Sequence, residues 1–230
     1  MKKSWTSDSH KILEQATGLT NYNRWLVSHF STYFGKAILE IGSGQGALSK
    51  LLPAKAIVIL SDIIPEYLDG LKKTFTDPVI SLDIEKDAPA KLVGKIDTIF
   101  SSNVFEHIKN DSQAIVNCFK LLEPGGHLLL YVPARSEIYG RLDEAMGHYR
   151  RYTKLELTAK AKKAGFTVKR IYYSNLPGYF LWWGRGRFRS AKPDSFFAKI
   201  FDHLIVPLLY FEKFVHPLFG QSLVLIATKP

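Results

Sequence analysis

The stretch Ile38-Leu39-Glu40-Ile41-Gly42-Ser43-Gly44-Gln45-Gly46 decides how the rest of the chain is read. An apolar, β-branched run carries a single acid, Glu40, and then three glycines stand at alternate positions. Ala47 to Leu52 continues with helical spacing, so the segment reads as strand, tight turn, helix. Glycine accepts positive φ and has no Cβ, which lets a small ligand lie against bare backbone where a helix begins.

Downstream the pattern repeats. Ile57 to Leu60 reads as a second strand, Val79 to Leu82 as a third, Ile96 to Phe100 as a fourth and Leu128 to Val132 as a fifth, introduced by Pro124-Gly125-Gly126. Helices are predicted from Pro65, where proline suits the first turn, and over Ser112 to Leu122. A helix over Lys154 to Ala164, a strand over Thr167 to Tyr173 and a last strand over Ser222 to Thr228 complete the series. Upstream, residues 10 to 35 carry apolar positions that suit two short helices broken near Gly18 to Asn21. Strands alternating with helices predict a mostly parallel sheet covered on both faces, with ligands beyond the strand carboxyl ends.

The chain has 230 residues, and neither a linker nor a repeat divides it, so one domain over 1–230 is expected. Residues 1–35 supply its N-terminal helices, and inserts at 133–152 and 175–220 leave from strand carboxyl ends, where they would roof the ligand site. A net charge of +10 favours anionic partners without choosing among phosphorylated small molecules, nucleic acid and an acidic membrane face. Cys118 is the only cysteine, which excludes an internal disulfide and any multi-cysteine metal centre; no other metal-ligand spacing is visible, and no metal is expected. Lys2 and Lys3 are not followed by an apolar run, so no secretory signal is read and a cytoplasmic location is expected.

The glycines alone are ambiguous, because Gly42, Gly44 and Ala47 also satisfy a dinucleotide-binding pattern. With Glu40 included, E-x-G-x-G-x-G resembles the first motif of class I S-adenosylmethionine-dependent methyltransferases. Asp62 at the end of the second strand, Asp83-Ile84 after the third, Asn103-Val104-Phe105-Glu106-His107-Ile108 after the fourth and Leu122-Glu123-Pro124-Gly125-Gly126 before the fifth resemble that family's later motifs, in order. The resemblance implies a Rossmann-like three-layer α/β sandwich whose seven-stranded sheet is mostly parallel with an antiparallel last strand. It also implies S-adenosyl-L-methionine as cofactor, held by Glu40, Gly42, Ser43, Gly44, Gly46, Asp62, Ile63, Asp83, Ile84, Asn103 and Val104.

Gly147-His148-Tyr149-Arg150-Arg151-Tyr152 resembles a G-H-x-R-R-Y segment in one small-molecule branch of the family, the type 11/12-like methyltransferases. Asn21 to Trp25 and Gly220 to Leu223 resemble further marks of that branch. The acceptor is accordingly expected against Tyr22, Glu106, Tyr149, Arg150, Arg151 and Tyr152, with His107 and His148 as candidate bases for an alcohol or phenol. His107 has a second reading, in which it orients Glu106 or the cofactor loop. Two adjacent arginines could grip a carboxylate or phosphate bidentately; alternatively one of them pairs with Asp143 or Glu144.

The late insert places aromatics from Tyr179 to Trp183 before Arg185, Arg187 and Arg189, and Phe196 to Phe214 reads as an amphipathic helix interrupted or started by Pro207. It is either a lid packed on the main body or a peripheral membrane contact through residues 179–214. The expected activity is methyl transfer to a small-molecule, sugar-linked or lipid-linked acceptor, anionic if the arginines face it. Nucleic acid is not the expected partner, since no N/D-P-P-Y/F segment follows the fourth strand and Cys118 lies within a helix rather than in a loop. An RNA methyltransferase stays open as an alternative. A nicotinamide-dependent oxidoreductase would explain the glycines and Asp62 but not Glu40 or the later motifs.

Overall fold

The computed structural model describes residues 18–188, 199–215 and 217–230. Seven strands form one sheet: β1 (Ala37–Ile41), β2 (Ile57–Asp62), β3 (Val79–Ser81), β4 (Ile96–Ser102), β5 (Leu122–Pro133), β6 (Thr167–Ser174) and β7 (Ser222–Thr228). Their spatial order is β3-β2-β1-β4-β5-β7-β6. Neighbours from β3 to β5 pair in parallel, whereas β7 runs antiparallel to both β5 and β6. The expected single antiparallel last strand is therefore present.

Side-chain alternation along the strands builds two cores. On one face, Leu39, Ile41, Ile99, Leu128, Leu130, Leu223 and Leu225 meet α3 (Asp111–Leu121) through Ala114, Ile115 and Cys118, and α5 (Lys154–Lys163) through Leu157 and Ala161. On the other, Ile38, Phe100, Leu129, Tyr131, Val224 and Ile226 meet α1 (Thr20–Ser28) through Trp25 and Leu26, and α2 (Pro65–Thr74) through Leu71. Helix starts follow local chemistry. Pro65 occupies the first turn of α2, Asn110 accepts from the Gln113 N–H ahead of α3, and Thr153 does the same for Glu156 ahead of α5.

Several expectations are corrected. Ala47 to Leu52 forms only a 3-10 turn, Ser49–Leu51, because the chain must descend at once from the glycine loop to the next strand. Strand β5 starts at Leu122 rather than Leu128, with Gly125 at φ 83 bending it beside β4. Of the helix expected over Phe196 to Phe214, residues 196–198 lie outside the described residues. Its described part is a π-helical turn Phe201–Ile205, then α7 (Val206–Leu209), with Pro207 in its first turn, and α8 (Glu212–Val215). The apolar positions Ile12, Leu13 and Ala16, and Arg189, also lie outside the described residues.

The insert after β5 contains a 3-10 turn, Ser136–Ile138, and α4 (Arg141–Ala145), while α6 (Leu176–Phe188) leaves β6. Both inserts depart from the same end of the sheet as the glycine loop.

Candidate active site

At the carboxyl end of β1 the three glycines all take positive φ, 74 at Gly42, 54 at Gly44 and 78 at Gly46. A Cβ on Gly42 would stand 2.3 Å from the Val104 side chain, and one on Gly46 would stand 2.4 Å from the Phe75 ring. The first contact ties the loop after β1 to the loop after β4. These strands are neighbours whose onward connections run to opposite sides of the sheet, and ligands settle in the crevice at such a point.

Asp62 ends β2 with its carboxylate gathered toward this crevice: Gly44 N–H donates to Oδ2 at 2.9 Å, and Ile63 and Ile64 N–H donate to Oδ1 at 2.7 and 3.0 Å. Oδ2, with a single donor, keeps lone-pair capacity for a further donor such as a ribose hydroxyl, whereas Oδ1 is already shared by two amides. Burial raises its pKa although the three amides pull the other way. Ile63 beside it is 54% exposed, an apolar surface at the rim of the crevice. Asp83, the next acid along the edge, pairs with Lys86 at 2.7 Å, while the Ile84 side chain is buried in the core and leaves only backbone for a ligand.

Glu40 is placed differently from the expectation. It is buried beneath the loop, accepting from the Ser49 hydroxyl, and burial pushes its carboxyl up to about 7 despite the Ser49 and Ser43 hydrogen bonds. Ser43 in turn accepts from Ser61 N–H through its own hydroxyl at 3.1 Å. Both residues brace the loop from below. Asn103 is exposed at φ 53 and its N–H donates to Tyr131 O at 2.8 Å, turning the chain sharply so that Val104 meets Gly42. Around the crevice Gly42, Gly44, Gly46, Asp62, Ile63, Asp83, Asn103 and Val104, from four strand ends, are the residues that could offer atoms to a cofactor. Bare glycine backbone, a carboxylate for ribose hydroxyls and an apolar rim fit an adenosine carrying a methionine arm.

Beside the β4 turn, Glu106, His107 and His148 gather, the cluster expected to meet an acceptor. The first two lie in the 3-10 turn Phe105–His107 after β4, and His148 arrives from the insert after β5, fixed by Tyr149 N–H donating to Glu106 O at 2.8 Å. The His107 and His148 rings meet edge-on at 4.7 Å. His148 Nδ1 lies 2.8 Å from Asp143 Oδ1, and its Nε2 lies 3.9 Å from Glu106 Oε1. Burial pushes the Glu106 carboxyl up to about 7, only partly offset by His148 and Arg151. Burial and the neighbouring His148 hold His107 down near 3, so it stays neutral at ordinary pH.

The arginines and Tyr152 do not face an acceptor. Arg151 is buried, with Nε donating to Asp143 Oδ1 at 2.8 Å, NH1 donating to Ala134 O at 3.0 Å and the guanidinium 4.7 Å from the Trp182 ring centroid. Arg150 donates to the Ile108 and Lys109 carbonyls and pairs with Asp111 at 2.9 Å. Tyr152 is wholly buried, donating to Phe105 O or Asp111 Oδ2. Arg150 and Tyr152 spend their polar atoms on internal partners, and Arg151 is held through Nε and Nη1 while its buried Nη2 has no hydrogen-bond partner among the described residues, so these side chains serve the framework in this structure rather than lining an open acceptor face. Tyr149 remains half-buried beside Arg150, and Tyr22 shares a hydrogen bond of 3.0 Å with Tyr131 through their hydroxyls.

Sequence reasoning gave Asp143 only as a partner for an arginine. It holds Arg151, His148 Nδ1 and, through Oδ2, Trp182 Nε1 at 3.1 Å, and these contacts lower its pKa against the effect of burial. Its place five residues before His148 was the available signal. Cys118 is buried with its thiol pushed up, which removes it as a nucleophile.

Residues 22–171, more than half of the chain, match the family described as a methyltransferase domain. A Mycolicibacterium smegmatis protein named "Probable S-adenosylmethionine-dependent methyltransferase" is 26% identical over 66% of this chain and 63% of its own length. The ubiquinone biosynthesis O-methyltransferase of Xanthomonas euvesicatoria is also 26% identical, over 71% of this chain and 75% of its own. The chain thus spans roughly two thirds of these two curated relatives, slightly less in the first case. The structure of an S-adenosylmethionine-dependent methyltransferase from Archaeoglobus fulgidus superposes with a TM-score of 0.63 at 16% identity, covering 91% of this chain and 94% of that one. One from Mesorhizobium loti gives 0.62 at 15%, covering 89% and 95%. With the glycine loop, Asp62 and the β4 turn in place on that fold, the chain belongs to the methyltransferase-domain family and carries a class I S-adenosylmethionine-dependent methyltransferase domain.

Proposed function

We propose that the protein transfers the methyl group of S-adenosylmethionine to a hydroxyl of a small, lipophilic or lipid-linked acceptor. The observation that carries this reading is the Asp143–His148–Glu106 series, which ends beside the β4 turn that touches the cofactor loop. S-adenosylmethionine supplies a methyl already activated on sulfur, so the protein's work is alignment and removal of the acceptor's proton. Asp143 fixes the His148 ring through Nδ1, leaving Nε2 as the atom that faces Glu106. The relative named for ubiquinone biosynthesis O-methylation supports an oxygen acceptor on a greasy molecule. An anionic acceptor loses the support of Arg150 and Arg151, each of which is paired with an internal carboxylate.

On this reading the chain is one domain, and its two inserts roof the acceptor. Exposed Phe180, Leu181 and Trp183 on α6 and Leu208, Phe211 and Phe214 near α7 and α8 support cytoplasmic action at a membrane surface. These helices converge, since Glu212 accepts from the Asn175 and Leu176 N–H groups and Phe180 lies 6.0 Å from Phe219. No helix among the described residues is long and apolar enough to cross a membrane, so the contact would be interfacial.

Incubation with methyl-labelled S-adenosylmethionine and a total cell extract tests the proposal. Label should enter the organic phase as an alkali-stable ether, and anionic vesicles should retain the protein. Label confined to RNA would favour the RNA methyltransferase reading instead, and absence of retention by vesicles would remove the membrane part.

A further inference from the structure

We infer that Glu106, His107 and His148 bind a divalent first-row cation of the zinc type, with one position left open for the acceptor oxygen. Each residue offers one ligand atom, and the three atoms lie within 4.8 Å of one another. Two ligands on one zinc ion, each at about 2.1 Å, can stand at most about 4.2 Å apart. Glu106 Oε1 and His148 Nε2, at 3.9 Å, already meet that limit. A ligand atom of His107, from the β4 turn, lies within 4.8 Å of the other two.

Two further observations point to a cation. Glu106 is fully buried, yet neither of its carboxylate oxygens has a hydrogen-bond partner among the described residues. An ionised carboxylate in that state is costly unless a positive charge joins it. Arg151, whose charge also acts on Glu106, is already paired with Asp143. Behind His148, Asp143 binds Nδ1 at 2.8 Å, which is the arrangement by which carboxylates orient a metal-ligating imidazole. Arg151 and Trp182 hold Asp143 in turn.

Two imidazoles and one carboxylate, with no thiolate, suit zinc, cobalt, nickel or manganese rather than copper(I) or an iron–sulfur cluster. Three protein ligands with an open position is the pattern of a reactive site, not of a closed structural one. The use of the site rests on the methyl-transfer reading above; its existence does not. An acceptor hydroxyl held at the open position would be acidified. Its proton leaves to solvent, oxygen forms a bond to the methyl carbon, and the carbon–sulfur electron pair returns to sulfur, giving a methyl ether, S-adenosylhomocysteine and one proton.

Untagged, chelator-treated full-length protein is titrated calorimetrically with Zn2+, and in parallel with S-adenosylhomocysteine. The expected result is one equivalent of Zn2+ bound at micromolar Kd or tighter, weakened at least about 100-fold in Glu106→Gln and His148→Gln, with S-adenosylhomocysteine affinity within about threefold of wild type. No saturable Zn2+ uptake, or uptake unchanged in Glu106→Gln, would overturn the site and leave a direct Glu106–His148 contact as the explanation. Failure of the wild type to bind S-adenosylhomocysteine would instead strike the methyl-transfer reading and leave the metal result standing. Wild-type protein with Co2+ decides without any variant: visible bands of low-coordinate cobalt support the site, and an aqueous Co2+ spectrum overturns it.

Discussion

The two ends of the crevice are built by opposite means. On the cofactor side the working parts are backbone and strand ends: three left-handed glycines, the Asp62 carboxylate held by amides, and an asparagine turn that presses Val104 against Gly42. On the acceptor side they are side chains from separate segments, and most of the charges that looked available are consumed in holding the roof. Arg151 closes on Asp143, and Arg150 and Lys160 close on Asp111, so the G-H-x-R-R-Y segment presents His148 and little else. A motif can thus be a scaffold around one residue.

The contrast can be broken most sharply at Gly42. Alanine there must adopt positive φ, at roughly 1–2 kcal/mol, and must also displace Val104. S-adenosylhomocysteine binding should fall by at least about 30-fold, read calorimetrically, while the fold survives by circular dichroism. Next in size, Asp143→Asn should lower kcat by about 10²–10³ through misorienting His148 while cofactor affinity changes less than threefold. Equal loss of both would merge the two sides into one and contradict the division.

These outcomes correspond to what the sequence could and could not disclose. The parallel sheet, its antiparallel last strand and the positions of Gly42, Asp62 and Asn103 were legible because strand ends and positive-φ turns impose local residue choices. The role of Glu40, and the choice between an anion grip and the Asp143 pairing that Arg151 in fact makes, were not, because a charged side chain reads the same whether it faces a ligand or a buried partner. Glu106, His107 and His148 share no metal-ligand spacing, and only tertiary folding brings the third to the first two.

The buried acids sharpen the comparison through pH. Glu40 and Glu106 rise from an ordinary 4.5 to about 7 in the folded chain, so the native state holds more protons than the unfolded one across that window. Their contribution to stability is full below about 4.5 and is lost as pH rises through 7. In metal-free protein Glu106→Gln should remove roughly half of these two acids' contribution to the slope in denaturant titrations between pH 6.5 and 8, above the range in which His107, held near 3, works the other way; an unchanged slope would place Glu106 as an ordinary ionised acid. The smallest effect is expected from Arg150→Lys. It should cost about 1 kcal/mol of stability by losing carbonyl and Asp111 contacts, with acceptor KM moved less than twofold. A tenfold rise in KM would return Arg150 to the acceptor.

The central claim is that the crevice at the ends of β1 to β4 holds S-adenosylmethionine independently of the acceptor-side cluster. Calorimetric titration of S-adenosylhomocysteine into wild type, Asp62→Ala and His148→Gln tests it in one series. Wild type should bind one equivalent, Asp62→Ala should bind at least about tenfold more weakly, and His148→Gln should bind with unchanged affinity. Absence of binding in the wild type, or Asp62→Ala binding as tightly as wild type, would contradict it.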